Sequence, residues 1–101
     1  MSYEMVVGLD IINDDIYTSY RGAMTPLLEE YGGGFRYDFK VSQVLKNEEN
    51  RPINRVFIIY FKDQASMNNF FNHPDYLEIK SRFFESSVKH TTILSEYHDK
   101  R

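Results

Sequence analysis

Three histidines (His73, His90, His98) and three tyrosines (Tyr17, Tyr20, Tyr76) are the side chains best suited to moving a proton in this sequence. The histidines lack the i,i+4 spacing of a helical metal pair, and no carboxylate completes a recognisable metal motif, so no metal site is expected. His73 precedes Pro74 at an expected helix start, where capping competes with a catalytic role. His90 falls on the expected last strand, where its ring could point into a cavity, and His98 lies near the tail, where it is solvated. Tyr20 and Tyr76 sit on the apolar sides of their helices, so their hydroxyls need polar partners if buried. Arg82 shares a helical segment with Tyr76 and could serve as that partner or anchor an anionic ligand. The catalytic candidates are therefore His73, His90 and Tyr20, and the ligand-binding candidates Tyr20, Tyr76 and Arg82. The competing reading makes them core rims and a surface arginine.

Other chemistries lack their residues. There is no cysteine, which excludes disulfides, thiolate catalysis and Cys-based zinc or iron–sulfur sites. No serine occupies a Gly-x-Ser-x-Gly elbow. Gly32-Gly33-Gly34 follows a helix and precedes a strand, the reverse of a phosphate loop, and reads as a helix stop. Asp10 interrupts an apolar strand; a strand-end residue turned to solvent is expected over one lining a pocket. No cofactor is expected.

These groups must be held by elements that the hydropathy pattern delimits. Met5–Ile12 is apolar at nearly every position and reads as a first strand. Asn13-Asp14-Asp15 then caps a helix whose stripe is Ile16, Tyr20, Met24, Leu27, Leu28 and Tyr31, with Pro26 as a possible kink. Phe35, Tyr37, Phe39 and Val41 alternate with Arg36, Asp38, Lys40 and Ser42, a strand with one apolar face, and the alternation slips at Val44-Leu45 as at a bulge. After the polar loop Lys46–Pro52, Arg55–Phe61 is a strand apolar on both faces. Asp63 caps a short helix carrying Ala65, Met67, Phe70 and Phe71. Pro74 opens another with Tyr76, Ile79, Phe83 and Phe84 on its buried side, and Val88–Tyr97 is the last strand.

The order βαββαβ, with two right-handed crossovers, predicts an α+β, ferredoxin-like fold: an antiparallel four-stranded sheet with helices on one face. One domain over residues 1–98 with a loose 99–101 tail is expected in this chain of 101 residues. Strand three offers Val56, Ile58 and Tyr60 to one face and Phe57, Ile59 and Phe61 to the other. Helices cover only one of these faces, so a second copy packing sheet to sheet is expected. RNA-recognition motifs share this element order, but Val56 and Ile58 stand where that motif needs small residues, and Met5–Ile12 has no aromatic to stack a base. With a net charge of −3, no nucleic-acid partner is expected. The apolar runs are too short to span a bilayer and no secretory signal is visible, so no membrane partner and a cytoplasmic location are expected.

The succession Tyr20-x-x-x-Met24-x-Pro26, Gly32-Gly33-Gly34-Phe35, Arg51-Pro52, Arg55-Val56-Phe57-Ile58-Ile59-x-Phe61 and Pro74-Asp75-Tyr76-x-x-Ile79-Lys80-x-Arg82 resembles a known family. It is the uncharacterised bacterial family catalogued as domain of unknown function thirteen-thirty, within the dimeric α/β-barrel superfamily. The resemblance spans Tyr3 to Tyr97. Lys62 departs from the proline the family usually carries there, and Phe70-Phe71 from a common Trp-Tyr pair. It implies a ferredoxin-like domain whose sheets pair into a dimeric barrel, and no assigned activity. Relatives in the superfamily include cofactor-independent monooxygenases, haem-degrading enzymes and a lactone isomerase, which hold small, often aromatic substrates between sheet and helices.

The function expected is that of a small-molecule-binding protein, in its enzymatic form a cofactor-independent, monooxygenase- or isomerase-like catalyst acting on an aromatic or enolic substrate. The alternative is a non-catalytic dimeric module for ligand sensing or interaction.

Overall fold

The computed structural model describes residues 2–100. Met1 and Arg101, the ends of the expected domain and tail, lie outside the described residues. Strand β1 spans Ser2–Ile11 and helix α1 Asp14–Glu30. Strands β2 and β3 span Gly34–Lys40 and Arg55–Phe61. Helices α2 (Gln64–Phe71) and α3 (Pro74–Ile79) lead into a π-helical turn over Lys80–Phe84. A last turn, α4 (Glu85–Ser87), precedes strand β4, Val88–Asp99.

The strands form one antiparallel sheet in the order β2-β3-β1-β4, the ferredoxin-like arrangement, with the helices on one face. Among the described residues no helix is long and apolar enough to cross a membrane.

Local chemistry sets the boundaries. The Asn13 side chain accepts a hydrogen bond from the Ile16 N–H at 3.0 Å, and Asp14 and Asp15 occupy the positive end of α1. The helix continues through Pro26. The proline ring crowds the carbonyl four residues back, which belongs to Gly22, an exposed residue, so the unpaired carbonyl can be hydrated. At the other end Gly32 takes φ +72°. Its N–H reaches the Glu29 carbonyl and that of Gly33 the Leu28 carbonyl, each at 3.0 Å, which closes the helix in a Schellman motif.

The core lies between sheet and helices. Tyr3, Met5, Val7, Leu9 and Ile11 of β1 join Phe57, Ile59 and Phe61 of β3 against Tyr17, Tyr20, Met24 and Leu28 of α1 and Met67, Phe70 and Tyr76 of the later helices. Tyr17 is buried and Ile16 only partly, so the stripe of α1 is turned slightly from its expected position.

Strand β2 departs from the expected alternation. Its register against β3 shifts between Phe35 and Tyr37, with Arg36 as the extra residue, and residues 41–54 form the loop where a slip at Val44-Leu45 was expected. The bulge splits the expected apolar face. Phe35 pairs with Ile59 and faces the helices, whereas Tyr37 and Phe39 pair with Ile58 and Val56 and face away, 52% and 54% exposed. Asp38, expected among the solvated residues, is thereby turned to the helix side.

The helix-free face carries Tyr37, Phe39, Val56, Ile58, Tyr60 and Val6 around one polar knot. Glu4 is fully buried there. It accepts hydrogen bonds from Arg36 Nε at 2.6 Å, Ser2 Oγ at 2.9 Å and Tyr97 Oη at 3.1 Å, and the Arg36 guanidinium lies 4.1 Å from the centre of the Tyr60 ring. A buried carboxylate without such partners would be prohibitively costly.

Candidate functional site

A cavity of about 360 Å³ opens between the sheet and the helical layer. Its floor is the helix-facing side of the sheet (Met5, Val7, Leu9, Phe57 and Ile59), and α1 and the π-helical turn form the opposite wall. The lining is mostly apolar, with Tyr17, Tyr20, Tyr76, Arg21, Lys80 and Thr91 as its polar groups. A concave, mainly apolar site with a few convergent polar atoms is the usual form of a small-molecule pocket.

Tyr20 and Tyr76 are brought together from α1 and α3. Their hydroxyls are 2.9 Å apart and buried, so each is the partner the other requires. One O–H donates to its neighbour, and the neighbour's own proton is left for a ligand. Burial, reinforced by the adjoining Tyr76, pushes Tyr20 well above the ordinary tyrosine value of 10.0, and burial also raises Tyr76. Both therefore stand protonated at neutral pH and act as donors. Tyr20 as a base would require an ionisation its surroundings oppose.

Arg21 is the polar residue that reading the sequence missed. It follows Tyr20 directly and stands one helical turn from Tyr17. Its guanidinium lies 3.8 Å from the Phe35 ring centre and 4.8 Å from that of Phe57. Nε donates to the Tyr17 hydroxyl at 2.8 Å and Nη1 to Asp38 at 3.2 Å. Nη2 is buried and has no hydrogen-bond partner among the described residues. Asp38 in turn receives two bonds from Arg55, at 2.7 and 2.9 Å, and that bidentate clamp holds its carboxyl below the ordinary value of 3.8. Burial raises Tyr17 despite the nearby Arg21. The signal for Arg21 was present: with Tyr17 and Tyr20 it forms an i, i+3, i+4 cluster on one helical face.

The remaining candidates lie outside the cavity. Arg82 is exposed, its guanidinium 5.2 Å from the Phe83 ring centre. It lies beyond the end of α3, in the π-helical turn, whose wider winding breaks the α-helical spacing from Tyr76, so sharing a segment did not mean sharing a face. Lys80, one turn beyond Tyr76, lines the cavity instead. His73 caps α3, its Nδ1 accepting from the Asp75 N–H at 3.0 Å, and its ring meets Tyr31 edge-on. His90 pairs with Asp10 across β4 and β1, and His98 is exposed, packed edge-on against Tyr3. Asp10 is buried, contrary to its expected solvent position, because β4 covers that end of β1.

No curated protein matches the chain. Among solved structures, a protein of unknown function from Rhodopseudomonas palustris is 15% identical, with a TM-score of 0.79 over 99% of this chain and 83% of that one. A dimeric ferredoxin-like protein of unknown function from Jannaschia is 12% identical, with a TM-score of 0.66 over 98% and 100%. The cofactor-independent oxygenase SnoaB from Streptomyces nogalater is 9% identical, with a TM-score of 0.66 over 99% and 94%. At these identities the likeness is one of fold. The family description that matches residues 3–97 is more specific, and by it the chain belongs to the family described as a domain of unknown function, DUF1330.

Proposed function

We propose that this chain binds a small aromatic or enolic molecule between its sheet and helices, and that it works as a homodimer paired through the helix-free sheet face. The observation that carries the binding reading is the cavity of about 360 Å³ with two buried tyrosine hydroxyls converging on its apolar walls. The aromatic side chains among its apolar walls suit a planar ligand, and the second proton of the tyrosine pair suits an oxygen on that ligand.

In its enzymatic form the site acts without a cofactor, the tyrosine pair donating to an enolate or phenolate oxygen as charge develops there. The similarity to a cofactor-independent oxygenase supports this form by fold analogy alone. One observation favours the second form, a ligand-sensing module: among the described residues the cavity lining contains no histidine or carboxylate to remove a proton.

The pairing reading rests on the exposed Tyr37 and Phe39 beside Val56 and Ile58 on an uncovered face, and on the dimeric state of the Jannaschia protein. Ile58→Lys should convert a dimer to a monomer in analytical ultracentrifugation, and a wild-type monomer at micromolar concentration would refute pairing. Binding is tested by a thermal-shift screen of phenols, quinols and aromatic carboxylates against wild type and Thr91→Trp. Thr91 is exposed and lines the cavity, so tryptophan there fills the opening without disturbing the core. Compounds that stabilise wild type should leave the variant unmoved. Equal stabilisation of both places binding elsewhere and refutes the reading.

A further inference from the structure

We infer that the ligand of this cavity is an anion, a planar aromatic or conjugated molecule bearing a carboxylate, for which Arg21 and Lys80 of the lining are the positive groups. The inference rests on the cavity being a binding site and adds the class of ligand.

The first support is the unfinished bonding of Arg21. A guanidinium carries five N–H donors. Two of its nitrogens are engaged by Tyr17 and Asp38, while Nη2 is buried and unpartnered among the described residues. A buried charged donor left unpaired is costly; Nη2 is closed off as it stands, and a ligand carboxylate that draws the guanidinium toward it would remove that cost. The rings of Phe35, Phe57 and Tyr17 hold the guanidinium in place, so its direction is set before a ligand arrives.

The second support is the charge around it. Arg21 and Arg55 share the single carboxylate of Asp38, and Arg55 holds that carboxylate through both oxygens. Lys80 lines the same cavity and makes no ion pair among the described residues. Two cations, Arg21 and Lys80, therefore line the cavity, and among the described residues no acidic residue lines it to restore balance. In a partly enclosed, apolar setting this excess positive charge attracts an anion more strongly than it would in water.

The third support is the shape of the combination. Arginine beside aromatic walls, with the tyrosine hydroxyl pair also on the lining, suits a flat body with a charged end and an oxygen substituent elsewhere.

The test compares 2-naphthoate with 2-naphthamide, which differ in charge and hardly in shape, by isothermal titration against wild type, Arg21→Gln and Lys80→Gln. The wild type should bind the acid at least about tenfold more tightly than the amide, and Arg21→Gln should bring the two to near parity by weakening the acid far more than the amide. Lys80→Gln, a variant outside the Tyr17–Arg21–Asp38 contacts, should reduce the preference severalfold and covers the case in which Arg21→Gln fails to fold. The preference should largely survive molar salt, since a buried pair is screened much less than an exposed one. Equal binding of acid and amide by wild type overturns the anionic ligand and leaves the cavity reading intact. A preference that both variants retain, or that salt abolishes, overturns the role of these two residues. Failure of both compounds to bind overturns the inference together with the reading beneath it.

Discussion

If the Tyr20 and Tyr76 hydroxyls satisfy one another, removing either should cost nearly as much as removing both. The oxygens are 2.9 Å apart and both residues are 5% exposed. A neutral hydrogen bond in such a place contributes about 1 kcal/mol net, and Tyr→Phe at one partner leaves the other hydroxyl without its bond. Tyr20→Phe and Tyr76→Phe should each lose about 1 kcal/mol, somewhat less where water from the cavity reaches the survivor. The double variant should lose about the same as one single variant, giving a coupling of about 1 kcal/mol. For a domain near 100 residues this corresponds to a fall in Tm of roughly 4–8 °C per single variant. The assay is urea unfolding followed by far-ultraviolet circular dichroism, all four proteins at one protomer concentration, because self-association would make the transition concentration-dependent. Strictly additive losses, with a coupling near zero, would refute the claim that the hydroxyls are partners.

Other outcomes follow from single contacts. Glu4→Gln keeps the volume but removes the charge that Arg36 meets at 2.6 Å, and should cost about 2 kcal/mol in the same unfolding assay; a loss below a few tenths would contradict the buried pair. Gly33→Ala places a Cβ 2.6 Å from Leu28 Cδ1 and 2.7 Å from the Tyr60 carbonyl oxygen and should destabilise by about 1–3 kcal/mol. Gly22→Ala, with open space around it on an exposed helix, should stabilise by roughly 0.5–1 kcal/mol. In alkali, the folded Tyr17, Tyr20 and Tyr76 hold their protons above the ordinary 10.0 while unfolded tyrosines release theirs. The stability they confer is complete below pH 10 and lost as pH rises through the folded values. The midpoint of urea unfolding should fall steeply there, and less steeply in the Tyr20→Phe/Tyr76→Phe double variant.

What could be read without coordinates was whatever rests on period and order. Val56–Phe61 alternates between two apolar sets, and the structure gives one set to the helices and leaves the other open. That the Tyr20 and Tyr76 hydroxyls need partners was legible because each sits on an apolar helical side, but the partner offered was Arg82, and only the structure shows that they meet each other. The rest depended on departures of a single residue. Arg36 adds one residue to β2, and that alone turns Asp38 toward Arg21 and Arg55 and puts Tyr37 and Phe39 on the open face. Arg82 and Lys80 are only two residues apart, yet just one of them faces the cavity. The burial of Glu4 was not legible, because the Arg36 and Tyr97 groups that permit it are brought to Glu4 only by the sheet.

Occupation of the cavity by a small aromatic molecule is tested most directly on the methionine methyl groups. Met5 and Met24 line the cavity, whereas Met67 is buried in the same core and does not. In protein labelled with ¹³C at the methionine methyls, titration with 2-naphthoate should shift the Met5 and Met24 resonances through the ring current of the bound compound and leave Met67 in place. Shifts at Met67 alone, equal shifts at all three, or none at concentrations that saturate binding would contradict the account.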